Sequence, residues 1–125
     1  MVVAPPPPKP AAVVRAWSKA LNANDNAAAA KLFAANAEVI QPPVAVRLTS
    51  AAVAKAFNAS LPCAGTIVNI TAHGNRATAT FVLGHRPGHT CTATNGEKAA
   101  ALFVVKNGKI VLWEQVPVPA STPPA

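Results

Sequence analysis

The chain has 125 residues, 51% of them hydrophobic, with eleven Lys and Arg residues against four acids for a net charge of +7, which makes one domain with a core and excludes two. Its apolar stretches break well before the ~18 residues of a membrane span, Met1-Val2-Val3-Ala4 lacks the basic-then-apolar pattern of an export signal, and the bases are scattered as a solubilising surface is, not gathered as in a nucleic-acid groove. Without a single tyrosine no phenolic donor is available, and any scheme with two carboxylates must draw on Asp25, Glu38, Glu97 and Glu114.

Pro5 to Pro8 and Pro10 make residues 1–10 a Pro-rich disordered arm. Pro117, Pro119, Pro123 and Pro124 make residues 117–125 a tail of the same kind, so the folded domain spans residues 11–116. Val13, Val14, Trp17 and Leu21 recur at helical spacing and predict an amphipathic first helix over residues 11–22. Asn24-Asp25 interrupts it, and either residue can cap a short second helix over residues 26–33, whose alanine run has high helix propensity. That role makes Asp25 a cap before it is an acid catalyst.

Residues 37–41 form a short strand stopped by Pro42-Pro43, and residues 44–48 add a small strand or arm. Thr49 or Ser50 then caps a third helix to about Leu61, with Val53, Phe57 and Leu61 on one face. Residues 66–72 and 76–83 alternate about His73-Gly74-Asn75, predicting a hairpin. With His73 opposite Arg76, Val68, Ile70, Ala72, Ala77, Ala79, Phe81 and Leu83 share its apolar face. A loop over residues 84–96 leads to a second hairpin about Lys106-Asn107-Gly108-Lys109, Asn-Gly being the strongest short hairpin signal. Its last strand puts Val111, Trp113 and Gln115 on one face and Ile110, Leu112 and Glu114 on the other.

The order of these elements resembles the nuclear transport factor two-like superfamily, whose members include ketosteroid isomerase, limonene epoxide hydrolase and SnoaL-like polyketide cyclases. The segments VVRAWSKALNANDNAAAAKLF, NAEVIQPP and FVVKNGKIVLWEQV carry the resemblance. It implies an α+β fold, three helices packed on a curved antiparallel sheet that forms a cone, a cystatin-like roll with an apolar pocket. It also implies a homodimer through the outer face of the sheet. The catalytic groups do not transfer. Trp17 stands where the isomerases keep an oxyanion-hole tyrosine, Gln41 where they keep a base aspartate, and Ala99 or Ala100 where they keep a protonated aspartate. The epoxide hydrolase pattern finds its arginine in Arg76 and its tryptophan in Trp113, but Thr78 and Gln115 replace its acids. An amide cannot shuttle protons as a carboxylate does, so both mechanisms are lost.

Trp17, Gln41, Trp113 and Gln115, with Phe57, are the expected ligand-binding residues: two amides orient a ligand, and the indoles supply apolar area and an N–H donor. The alternative is a filled core in which each amide satisfies a backbone group. The expected function is binding of a small apolar molecule, with isomerase or cyclase chemistry open; the alternative is a noncatalytic protein-interaction domain. No cofactor, nucleic acid or membrane span is implied. Cys63, His85, His89 and Cys91 cluster around the long loop. A Cys63–Cys91 disulfide is the simpler reading and contributes roughly 3 kcal/mol in the chain-entropy model, with free thiols or a zinc site as alternatives. Bridged cysteines mean a secreted or cell-envelope protein, free thiols a cytoplasmic one.

Overall fold

In the computed structural model, which describes residues 6–120, helix α1 runs Pro10–Asn22 with proline at its first position, where no backbone N–H is needed. Val13, Val14, Trp17, Ser18 and Leu21 form its buried stripe. It closes in a Schellman arrangement: Asp25 N donates to Ala20 O and Asn24 N to Leu21 O, with Asn24 at the left-handed φ of 58° that such an end requires. Residues 1–5 and 121–125 of the two expected arms lie outside the described residues. The described part of the first arm is exposed and runs beside the last hairpin, where a Cβ on Gly108 would come within 2.9 Å of Pro8 Cδ.

Asp25 caps the short α2 (Asn26–Lys31), its Oδ1 accepting from Ala28 N at 3.0 Å. The helix stops before Phe33, which had been expected to end it. Phe33 instead begins β1 (Phe33–Gln41), a longer strand than the expected residues 37–41. The cause is tertiary: Phe33 pairs with Ile110, and Leu32 O accepts from Ile110 N at 2.8 Å, which outweighs the local preference of an alanine run. Strand β2 (Val44–Leu48) turns back through Pro42-Pro43, joined by a cis bond. Ser50 Oγ accepts from Val53 N and caps α3 (Ala51–Ser60). The inward face of α3 is rotated from the expected one: Val53 is 40% exposed, while Ala54, Phe57 and Asn58 are buried. Asn58 tolerates that place because its side chain bonds Trp17 and Ala54 O.

Strands β3 (Ala64–His73), β4 (Arg76–Gly84), β5 (Lys98–Lys106) and β6 (Lys109–Val116) form an antiparallel meander. At the turns the expected registers appear, His73 opposite Arg76 and Lys106 opposite Lys109. Asn107 and Gly108 both take positive φ, 51° and 76°, as a type I′ turn demands. Away from the turns two bulges change the faces. One, between Ile67 and Asn69, turns Val68 out to 52% exposure, so Ile67 and Ile70 hold the inner face. It also ends the ladder with Ala64 opposite Gly84. The other leaves Val111 unpaired and brings the buried Ile110 to the face of Trp113.

The strand order is β2-β1-β6-β5-β4-β3, open at both ends. Because β1 and β6 run parallel, the curved sheet is mixed and not purely antiparallel as expected. Only a hairpin link forces antiparallel pairing, and these two strands share none. Three helices pack on the sheet in an α+β architecture. All six aromatic residues meet between the layers in tilted or edge contacts, each worth about 0.5–1.5 kcal/mol beyond the area buried. Among the described residues no helix is long and apolar enough to cross a membrane.

Candidate functional site

A cavity of about 280 Å³ lies between α1 and the inner face of β4, β5 and β6. Trp17 and Leu21, one turn apart on α1, form one wall; Trp113, Phe81 and Ala101 form the sheet side, and Leu61 and Pro62 the rim beyond α3. Gly65, also in the lining, lets β3 approach β4 closely: a Cβ there would stand 3.0 Å from Phe81 Cβ. Asn22 clasps that glycine from both sides, donating to Gly65 O at 2.7 Å and accepting from Gly65 N at 3.0 Å.

Four of the five expected ligand residues line this space, Trp17, Gln41, Trp113 and Gln115. The indoles are buried and the amides exposed, so the aromatic rings make the floor and the amides the mouth. Parallel pairing brings the amides together: Val39 faces Trp113 and Ile40 faces Glu114, which sets Gln41 and Gln115 at one level on neighbouring strands. Phe57 packs edge-on against Trp113 at 5.3 Å and Phe33 at 6.0 Å, behind the Trp113 ring, and is not among the residues that line the cavity.

The two indoles differ in chemistry. Trp17 Nε1 donates to Asn58 Oδ1 at 2.8 Å, and Asn58 Nδ2 donates in turn to Ala54 O at 2.8 Å. That donor is committed within the protein. Trp113 Nε1 is buried with no hydrogen-bond partner. A second groove, of about 460 Å³ between α2, α3 and the start of β1, holds none of the expected residues.

No ionisable side chain lines the first cavity among the described residues, since Cys63 at its rim is bonded to Cys91. Asp25 caps α2, and Glu97 accepts from Thr94 N and Oγ1. Glu38 and Glu114, at register positions that alternate with Val39 and Trp113, stand on the outer face. Arg76 is exposed beside the turn after β3, away from the cavity. His89 places Nε2 at 2.9 Å from Ala59 O and Nδ1 at 3.0 Å from Pro87 O, so its ring sits between two backbone carbonyls.

Sequence reasoning missed Arg86. It is fully buried, donating from Nε to Asn24 Oδ1 at 2.8 Å, from one terminal nitrogen to Asn58 O at 2.8 Å and Leu61 O, and from the other to Asn26 Oδ1. Desolvation lowers its pKa below the usual value. No spacing signal marks it, because its acceptors lie 25 to 62 residues away. Asn58 had a signal: phasing α3 on Ala54, Phe57 and Leu61 puts it on the inner face.

The profile of the SnoaL-like domain family matches residues 14–113. Among solved structures, a candidate polyketide cyclase from Sinorhizobium meliloti superposes with a TM-score of 0.68 at 18% identity, covering 84% of this chain and 94% of that one. A candidate ketosteroid isomerase from Kribbella flavida gives 0.65 at 22%, covering 91% and 82%. A cystatin-fold protein from Novosphingobium aromaticivorans gives 0.69 at 14%, covering 88% and 99%. At these identities the likeness is one of fold. No curated protein matches the sequence.

Proposed function

This chain belongs to the SnoaL-like domain family, within the nuclear transport factor two-like superfamily, and on that premise we propose that it binds a small, uncharged, largely apolar molecule in the cavity between α1 and the sheet. One observation carries the reading: aromatic and aliphatic side chains line the space, amides stand at its mouth, and no lining group among the described residues titrates. A charged ligand would lose its hydration there and gain no counter-charge. Trp17 and Trp113 supply apolar area, while Gln41 and Gln115 orient the polar end of the ligand. Isomerisation or cyclisation by proton transfer needs an acid or base at the reacting atom. The lining provides none, so the role proposed is binding, with any reaction depending on the ligand's own groups.

The two tryptophans are the only ones in the chain, and there is no tyrosine, so intrinsic fluorescence reports on this cavity. Titration with a bicyclic terpenoid, an aromatic polyketide and a steroid is expected to give saturable quenching with at least one. Silence with all three would remove the cavity reading in favour of a noncatalytic protein-interaction domain, a role the fold also permits. The proposal extends to assembly: Leu102 and Leu112, partly exposed on the outer face of the sheet, favour a second copy of the chain as its partner.

A further inference from the structure

We propose that the indole N–H of Trp113 is the polar anchor of the cavity, donating to the carbonyl or ether oxygen of a neutral ligand of about two fused rings. The proposal rests on the cavity being a ligand site and adds what is recognised there. Trp113 is 6% exposed, and its Nε1 is the buried side-chain nitrogen left without a partner among the described residues. A bare buried donor of this kind forfeits the hydrogen bond it had with water and is costly. The cost is specific to this ring, since the neighbouring indole of Trp17, 6.1 Å away, has Asn58 as acceptor. The register leaves Trp113 no side-chain acceptor on either flank: Phe103 faces it from β5 and Val39 from β1. The ring nonetheless lines the cavity, where an oxygen brought in by a ligand supplies an acceptor. Because the nitrogen is closed off from solvent, seating that oxygen takes a small tilt of the indole.

Charge and volume narrow the ligand. Without a cation in the lining, a carboxylate or phosphate is disfavoured against a ketone or ether. An apolar cavity of about 150 Å³ accommodates benzene. The space here, about 280 Å³, is sufficient for two fused rings, and a tetracycle would extend past the glutamines at the mouth.

The test compares 1-tetralone with tetralin, which differ by the carbonyl alone. The chain has two tryptophans and therefore two indole N–H resonances, assigned with Trp113→Phe or, should that variant not fold, with Trp17→Phe. Both probes are expected to bind, tetralone about tenfold more tightly, and tetralone alone is expected to move the Trp113 resonance downfield. In Trp113→Phe the ratio of tetralone to tetralin affinity should fall from about ten to about one, since both probes lose the same apolar wall and only tetralone loses a donor. Equal affinities with an unmoved Trp113 resonance would overturn the anchor and leave the cavity standing as an apolar site. Failure of both probes to bind would overturn the cavity reading and the anchor with it.

Discussion

At the scale of single residues, Arg86 holds together parts of the chain that no local pattern connects. Its guanidinium joins the loop after β4 to Asn24 and Asn26 around the start of α2 and to the carbonyls of Asn58 and Leu61 at the end of α3. Those carbonyls lie at the negative end of the α3 dipole, which favours a cation there. All four acceptors are neutral, so the buried charge is solvated by dipoles alone. Because burial lowers the folded-state pKa, the unfolded chain binds the proton more tightly. The charge therefore costs stability at every pH below the folded value, and stability would rise only as pH climbs between the folded and unfolded values. Removing the fork is worse than keeping it, since it strands acceptors inside the protein. Arg86→Lys retains the charge but cannot reach all of them, and a loss of about 3 kcal/mol is expected from urea unfolding. An unchanged midpoint would mean that the acceptors find other partners. In the sequence Arg86 reads as a loop charge, because its partners are distant in the chain.

At the scale of elements, the loop over residues 85–97 is fastened to α3, to the segment after it and to the turn between α1 and α2 by several independent ties. Besides Arg86, His89 bonds Ala59 O, Asn24 Nδ2 donates to Pro87 O at 2.7 Å, and Cys91 is bridged to Cys63 across 28 residues. The bridge acts mainly on the unfolded chain, contributing about 3–4 kcal/mol in the chain-entropy model. The hydrogen bonds act on the folded one. The Cys63→Ser, Cys91→Ser double variant is thus expected to lower the urea midpoint by roughly that free energy while changing ligand affinity by less than about twofold. A cavity that no longer binds would show the bridge to be essential to its shape. Helices and hairpins were legible from caps, alternation and Asn107-Gly108, but the faces of β3, α3 and β6 were not. A bulge depends on how the partner strand curves, and alternation counted along one strand contains no term for it.

At the scale of the whole molecule, the mixed sheet makes the cavity. Closing β6 against β1 in parallel places Gln41 beside Gln115, although 74 positions separate them. Leu102 and Leu112 on the outer face predict a dimer, to be checked by sedimentation equilibrium at micromolar concentration. Leu102→Asp, which puts a charge into that face, is expected to shift the population to monomer with the cavity unchanged. A wild-type chain that is monomeric throughout would remove the proposed second copy.

The sequence by itself determined the element order, a cap at Asn24 or Asp25 and another at Thr49 or Ser50, the Asn107-Gly108 turn, and the lack of carboxylates where related folds place theirs. These are local facts, written in spacing and residue type. Only the tertiary structure decided that Phe57 packs away from the cavity, that Arg86 is buried, and that Trp17 is hydrogen-bonded while Trp113 is not. Each depends on which distant groups meet, and strand pairing without a hairpin link, bulges and helix rotation set those meetings through packing that no short stretch of sequence encodes.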